Sequence, residues 1–66
     1  MDLDIYELGL QKKTIHSLNY NNIYTIGELV KLSHIELEQL PKVGNNIIAD
    51  IMTCLKKKNL HLGMRG

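Results

Sequence analysis

Leu37-Glu38-Gln39-Leu40-Pro41-Lys42-Val43-Gly44-Asn45-Asn46-Ile47-Ile48-Ala49-Asp50-Ile51 is the stretch that decides the fold. Pro41 has no backbone N–H and disfavours a helical Leu40, so a helix entering from the left must stop there. Beyond it, Ile47, Ile48, Ile51 and Leu55 recur at the 3.6-residue period and predict a helix over roughly 45–58. Only a few residues are left to turn the chain between the two. Among them Gly44 reads as the pivot, because a glycine admits backbone conformations and close approaches that a Cβ forbids. On that reading, Gly44→Val strains the turn and destabilises the fold by about 1–3 kcal/mol.

Two helices joined in this way resemble a helix-hairpin-helix motif. The amides just after Gly44 are unsatisfied donors at a helix N-terminus, where the helix dipole also favours an anion. Such a turn can hold one DNA phosphate without reading a base. The same residues also suit a tight loop between packed helices that binds nothing.

Upstream lie two capping boxes, Thr25-Ile26-Gly27-Glu28 and Ser33-His34-Ile35-Glu36. In each, the hydroxyl can bond the third helical amide while the carboxylate reaches back to the cap amide. Each therefore opens a short helix, one turning Ile26, Leu29 and Val30 inward and the other Leu37 and Leu40. Further back, Ile15 and Leu18 mark one face of a helix over roughly 11–20, and Asn21-Asn22 suits the left-handed position that closes it. Ile5, Leu8 and Leu10 form an apolar lead-in with a bend at Gly9. Downstream, Leu60 and Leu62 are placed to tuck back onto the bundle. No run of β-branched alternation calls for a sheet. The fold expected is all-α, a compact bundle of four to five short helices of the SAM-domain-like kind, with residues 1–66 forming a single domain.

At 66 residues most apolar side chains must serve the core, and the 44% apolar content is sufficient for one. With no Trp or Phe, that core must be built of Ile, Leu and Val. Tyr6, Tyr20 and Tyr24 can equally wedge the core margin or stack on bases. No stretch is long enough to span a membrane, and the start MDLDIYELGL is acidic, unlike a secretion signal. A lone Cys54 fits a reducing cytoplasm and reads as a small buried apolar side group. His16, His34 and His61 lack ligand spacing with Cys54 or with paired carboxylates, so neither a metal nor any cofactor is expected. No nucleophile–base pair, paired catalytic carboxylates or nucleotide loop can be picked out. An enzyme and a small-molecule substrate are therefore not expected.

Net charge is only +1, but its distribution is uneven. Asp2, Asp4 and Glu7 make the start acidic, whereas the last sixteen residues hold Lys56, Lys57, Lys58 and Arg65 and no acid. An acidic lip and a basic remainder can serve two different partners. The three consecutive lysines also complement the dipole at a helix C-terminus, which is reason enough for them.

The whole pattern resembles the C-terminal domain of the bacterial RNA polymerase alpha subunit. The resemblance rests on Glu7-Leu8-x-Leu10, Leu18, Ile23-x-x-Ile26-Gly27-Glu28-Leu29-Val30, Glu36-Leu37, Pro41-x-Val43-Gly44 and Leu60-x-Leu62-Gly63-Met64-Arg65. It implies a compact helical domain that binds the minor groove of A/T-rich DNA upstream of promoters. It also implies contact with sigma factor, RNA polymerase or transcription regulators. No polymerase-assembly domain is visible, so a free-standing module and a fragment of a longer protein both fit.

The resemblance carries a DNA face of Lys13, His16, Ser17, Lys42, Gly44 and Asn46, and a protein-contacting surface at Asp4 and Glu7. Where the family's first long helix has Arg and then Asn-Cys, this chain has Lys13 and then His16-Ser17. Lys13 keeps the charge but not the planar fork that suits a minor groove. The usual Asn of the hairpin is Lys42, and a usual basic residue and Ser are Asn46 and Ile47, while Gly44 and an acid, Asp50, remain. Two functions stay open: a DNA-binding transcription module, or a protein-interaction module on the same scaffold that has lost DNA binding. Lys12, Lys13, Lys42 and the hairpin favour the first; the acidic start and Ile47 favour the second.

Overall fold

A computed structural model describes residues 3–64 of the protein. A short 3₁₀ helix, Ile5–Leu8, leads into α1 (Lys12–Tyr20), α2 (Ile26–Val30), α3 (His34–Glu38) and α4 (Asn45–Lys57). There is no strand among the described residues, only an isolated antiparallel bridge between Asp4 and Thr25. The Cα radius of gyration is 10.4 Å, close to the ~11 Å of a compact protein of this length.

Both capping boxes form as their spacing requires. Thr25 Oγ1 accepts from the Glu28 amide at 3.2 Å, and a Glu28 carboxylate oxygen accepts from the Thr25 amide at 3.0 Å. The Ser33 hydroxyl accepts from the Glu36 amide at 3.1 Å, and the Glu36 carboxylate accepts from the Ser33 amide at 2.8 Å. These boxes sustain two helices of five residues each, shorter than propensity alone supports in water. Asn22 closes α1 from the left-handed region at φ 61°, as the Asn pair predicts.

The core is aliphatic throughout. Ile5, Leu18, Leu29, Leu37, Ile51 and Leu55 are the large apolar side chains with almost no exposure, drawn from the 3₁₀ helix and all four α-helices. α4 is the central member, with α1 and α3 packed against it. Ile47, Ile48, Ile51 and Leu55 are all buried along it, as the period requires. Ile26 and Leu40 are only partly buried at the core margin. Ile47 is thus accounted for by packing. Leu60 and Leu62 also pack on the core, and the Gly63 and Met64 amides donate to Leu32 and Val30 carbonyls at 2.8 Å.

The hairpin turns on a different residue from the one expected. Gly44 sits at φ −99°, ψ −177°, ordinary extended backbone, and a Cβ built on it meets nothing within 4 Å. The left-handed residue is Lys42, at φ 65°. A non-glycine in that region costs about 1–2 kcal/mol, so the turn's strain is stored at Lys42. The expectation that Gly44→Val strains the turn does not hold, and no steric demand of the fold requires glycine there.

Candidate nucleic-acid interface

Gly44 is the N-cap of α4, and that end makes no side-chain capping bond. The first amide of the helix to find a backbone acceptor is that of Ile48, which donates to the Gly44 carbonyl at 3.0 Å. The N–H groups of Asn45, Asn46 and Ile47 therefore have no intrahelical acceptor. They sit at the positive end of a thirteen-residue helix, after a glycine whose Cβ position is open space. An anion approaching here meets no side chain at position 44.

α1 lies alongside. At 3.6 residues per turn, Lys13, Ser17 and Tyr20 fall within about 60° of one another, and His16 lies about 60° to the solvent side of Lys13. Thr14, Ile15, Ser17 and Leu18 are the buried residues of this helix. Lys13 and Tyr20 thus border its buried face, on a seam shared with α4 and the hairpin. At one end of the seam, Lys13 and Asn46 line the same open polar groove together with Gln11, Ala49, Asp50 and Thr53. At the other end, the Lys42 ammonium lies 5.0 Å from the centre of the Tyr20 ring.

Two polar links hold the seam in register. Asp50 Oδ2, on α4, accepts from the Gln11 amide at 2.9 Å and from the Thr14 hydroxyl at 2.6 Å. Gln11 is the N-cap of α1 and makes no capping bond with its own amide group, so a carboxylate from a distant helix serves that end instead. Asn21 Nδ2 donates to the Ser17 carbonyl at 2.8 Å and to the Pro41 carbonyl at 3.0 Å, tying the end of α1 to the hairpin. Asp50 is therefore a bracket between α1 and α4.

Of the residues expected on a DNA face, Lys13, His16, Lys42, Gly44 and Asn46 are exposed around this seam. Ser17 differs: it is only 9% exposed, because its place on α1 turns it toward the core. Tyr20, read from sequence only as able to wedge the core margin or stack on bases, is 59% exposed and faces the Lys42 ammonium. Its spacing from Lys13, seven residues or two helical turns, was the available signal.

The acidic start occupies another surface. Glu7 is exposed. Asp4 is exposed too, but its carboxylate also caps the 3₁₀ helix by accepting from the Tyr6 amide at 2.9 Å. Asp2 lies outside the described residues. The Ile5 amide donates to the Tyr24 carbonyl and the Ile26 amide to that of Leu3, which sets this lip beside α2. Leu3, Tyr6 and Tyr24 are each at least half exposed along it.

Among the described residues, no group of three or more His, Cys, Asp or Glu is placed to hold a metal ion, and no helix is long and apolar enough to cross a membrane. Cys54 is buried at the foot of the Asp50 bracket, its Sγ 3.8 Å from both the Gly9 carbonyl and Asp50 Oδ1. Burial first, and then the Asp50 carboxylate, push its thiol above the usual cysteine range.

The sequence is similar to those of known proteins. The protein is 36% identical over 64 residues to the DNA-directed RNA polymerase subunit alpha of Aquifex aeolicus (strain VF5), a match covering 97% of this sequence and 20% of the other. It is 33% identical over 64 residues to that of Hydrogenobaculum sp. (strain Y04AAS1), with the same coverage. It spans about one fifth of the length of these curated relatives. Residues 1–61 match the family model for the C-terminal domain of the bacterial RNA polymerase alpha subunit, and to that family this protein belongs.

Proposed function

We propose that residues 1–66 act as one DNA-binding, transcription-associated module in the cytoplasm, with the α1–hairpin–α4 seam set against promoter-upstream DNA. The alpha C-terminal domain is a non-catalytic part of RNA polymerase, and this reading gives the protein no chemistry of its own. The uncapped start of α4 behind Gly44 is the observation that carries the proposal. It offers the amides of Asn45, Asn46 and Ile47 to a phosphate, with Lys13 across the same groove as Asn46. Lys42 supplies the second cation and His16 the outer rim. A narrow A/T-rich minor groove concentrates negative potential and so draws Lys13 into it. Without the planar fork of an arginine the affinity is weak and the base preference modest. Asp4 and Glu7, on the lip beside α2, are the contact for sigma factor, polymerase or a regulator.

The direct test is a titration of the ¹⁵N-labelled protein with a short A/T-rich duplex, followed by amide chemical shifts. The largest shifts are expected at Lys13, His16 and Gly44 through Asn46. Shifts absent from these amides would overturn the reading. A second reading is kept open by the exposed Leu3, Tyr6 and Tyr24 beside Asp4 and Glu7, an apolar and acidic surface that suits a basic protein partner. If duplex DNA moves no amide while a sigma-factor fragment moves those of Leu3–Glu7, the scaffold is a protein-interaction module alone.

A further inference from the structure

We infer that Tyr20 is a positioning residue of the DNA face, and that its ring holds the Lys42 ammonium in place for the nucleic-acid backbone. The inference rests on the DNA-binding reading above and assigns a role to a residue outside it.

Three independent features converge on this pair. The Lys42 ammonium lies 5.0 Å from the Tyr20 ring centre, within the range of a cation–π contact. The Lys42 backbone is fixed in the left-handed region at φ 65°, which sets the direction in which its side chain leaves the hairpin. The distance between α1 and the hairpin is fixed by Asn21, whose amide bridges the Ser17 and Pro41 carbonyls. A lysine is ordinarily the most mobile of cations, and ordering it on a phosphate costs side-chain entropy. Here the ring has already restricted it in the free protein. The pair also lies on the seam, because Tyr20 is two helical turns from Lys13 along α1.

The contact is not needed for packing. Tyr20 is 59% exposed and Lys42 is exposed, so the ring contributes little to the core. An ammonium on an aromatic face keeps its charge and its donors on the side away from the ring. It can therefore donate to a phosphate oxygen without leaving Tyr20. What the ring supplies is orientation, and the charge remains that of Lys42.

The experiment compares Tyr20→Leu and Tyr20→Phe in the wild-type and Lys42→Met backgrounds, by fluorescence anisotropy on a short A/T-rich duplex at fixed low salt. Tyr20→Leu is expected to weaken binding about two- to five-fold, the size of an exposed cation–π contact. Tyr20→Phe, which keeps the ring, should bind as the wild type does. In the Lys42→Met background Tyr20→Leu should have no further effect. In the free protein, the ring should shift the Lys42 ε-methylene proton resonance upfield, and Tyr20→Leu should abolish that shift. An equal loss in both backgrounds would overturn the inference, since the ring would then act on DNA or on the fold rather than through Lys42. So would unchanged or tighter binding by Tyr20→Leu, or an unshifted Lys42 resonance. Lys13→Ala separates the two levels. If it weakens binding while Tyr20→Leu does not, the DNA face stands and the role of Tyr20 falls. If the wild type binds no duplex at all, both fall.

Discussion

Replacing Asp50 by Ala removes the bracket between α1 and α4. The carboxylate accepts two hydrogen bonds, from the Gln11 amide at 2.9 Å and the Thr14 hydroxyl at 2.6 Å. Thr14 is fully buried in the native fold, so its hydroxyl loses the acceptor it is buried against. A hydrogen bond to a charged group is worth about 1.5–3 kcal/mol, and an orphaned buried donor costs about 1–3 kcal/mol. Gln11 is exposed and its amide can be rehydrated, which keeps that part of the loss small. The two figures describe overlapping parts of one loss and are not added, so with the small Gln11 part the cost is about 2–4 kcal/mol. A domain of this size holds only about 3–10 kcal/mol in total. At roughly 4–8 °C per kcal/mol, Asp50→Ala should lower the thermal midpoint by about 10–25 °C. Thr14→Val keeps the shape and removes the donor, so it should cost less, about 1–2 kcal/mol. The two changes share one bond and must be non-additive, with the double variant less destabilised than the sum by about 1 kcal/mol. Calorimetry or circular-dichroism melts of the four proteins measure this cycle. A loss under about 0.5 kcal/mol for Asp50→Ala, or strict additivity, would refute the bracket.

Three further outcomes follow from the same geometry. Gly44→Val should change stability by less than about 1 kcal/mol, because its backbone is extended and its Cβ would meet open space, yet it should weaken DNA binding; a loss above about 2 kcal/mol in a thermal melt would return the turn's strain to Gly44. The Tyr24 and Thr25 amides hold the Glu28 carboxyl below its ordinary value near 4.5. Its contribution to stability is therefore complete above the unfolded value and lost as pH falls through the folded one. Glu28→Gln, which keeps the capping geometry, should flatten the acid limb of the melt-versus-pH curve, and an unchanged limb would exclude the box as its source. Cys54 should react with Ellman's reagent at pH 8 at least about ten-fold more slowly than a free cysteine until the protein is unfolded; fast labelling of the native protein would contradict its burial.

The local part of this fold is legible in the sequence, and the long-range part is not. Both capping boxes, the Asn22 closure of α1 and the apolar stripe of α4 depend on residues at most a few positions apart, and each forms as its spacing requires. The Asp50 bracket joins residues 39 and 36 positions apart, and nothing in the local pattern at Asp50 distinguishes it from a solvated acid. The hairpin misleads for a different reason. A glycine in a short interhelical turn is the usual carrier of a left-handed residue, yet here Lys42 adopts that conformation while Gly44 is extended and a Cβ there would meet nothing within 4 Å. Ser17 follows the same logic, since only the packing of α1 on α4 decides that its side of the helix is covered. Tyr20 acquires its role from a hairpin 22 residues away in sequence, and the sequence shows only that it shares a helix side with Lys13.

The central claim is that the seam of α1, the hairpin and the start of α4 is a DNA-binding face, and salt tests it most directly. Each phosphate neutralised releases counterions, so affinity falls with salt at a slope of about −0.9 per contact. Lys13 and Lys42 are the cations along the seam, and the amides after Gly44 add a contact that carries no charge. Fluorescence anisotropy on a short A/T-rich duplex, repeated across several salt concentrations, should therefore show weak binding with a small negative slope. Lys13→Ala should reduce both affinity and slope, whereas Lys57→Ala, in the last turn of α4, should leave both nearly unchanged. No binding at low salt, or equal losses from the two substitutions, would contradict the account.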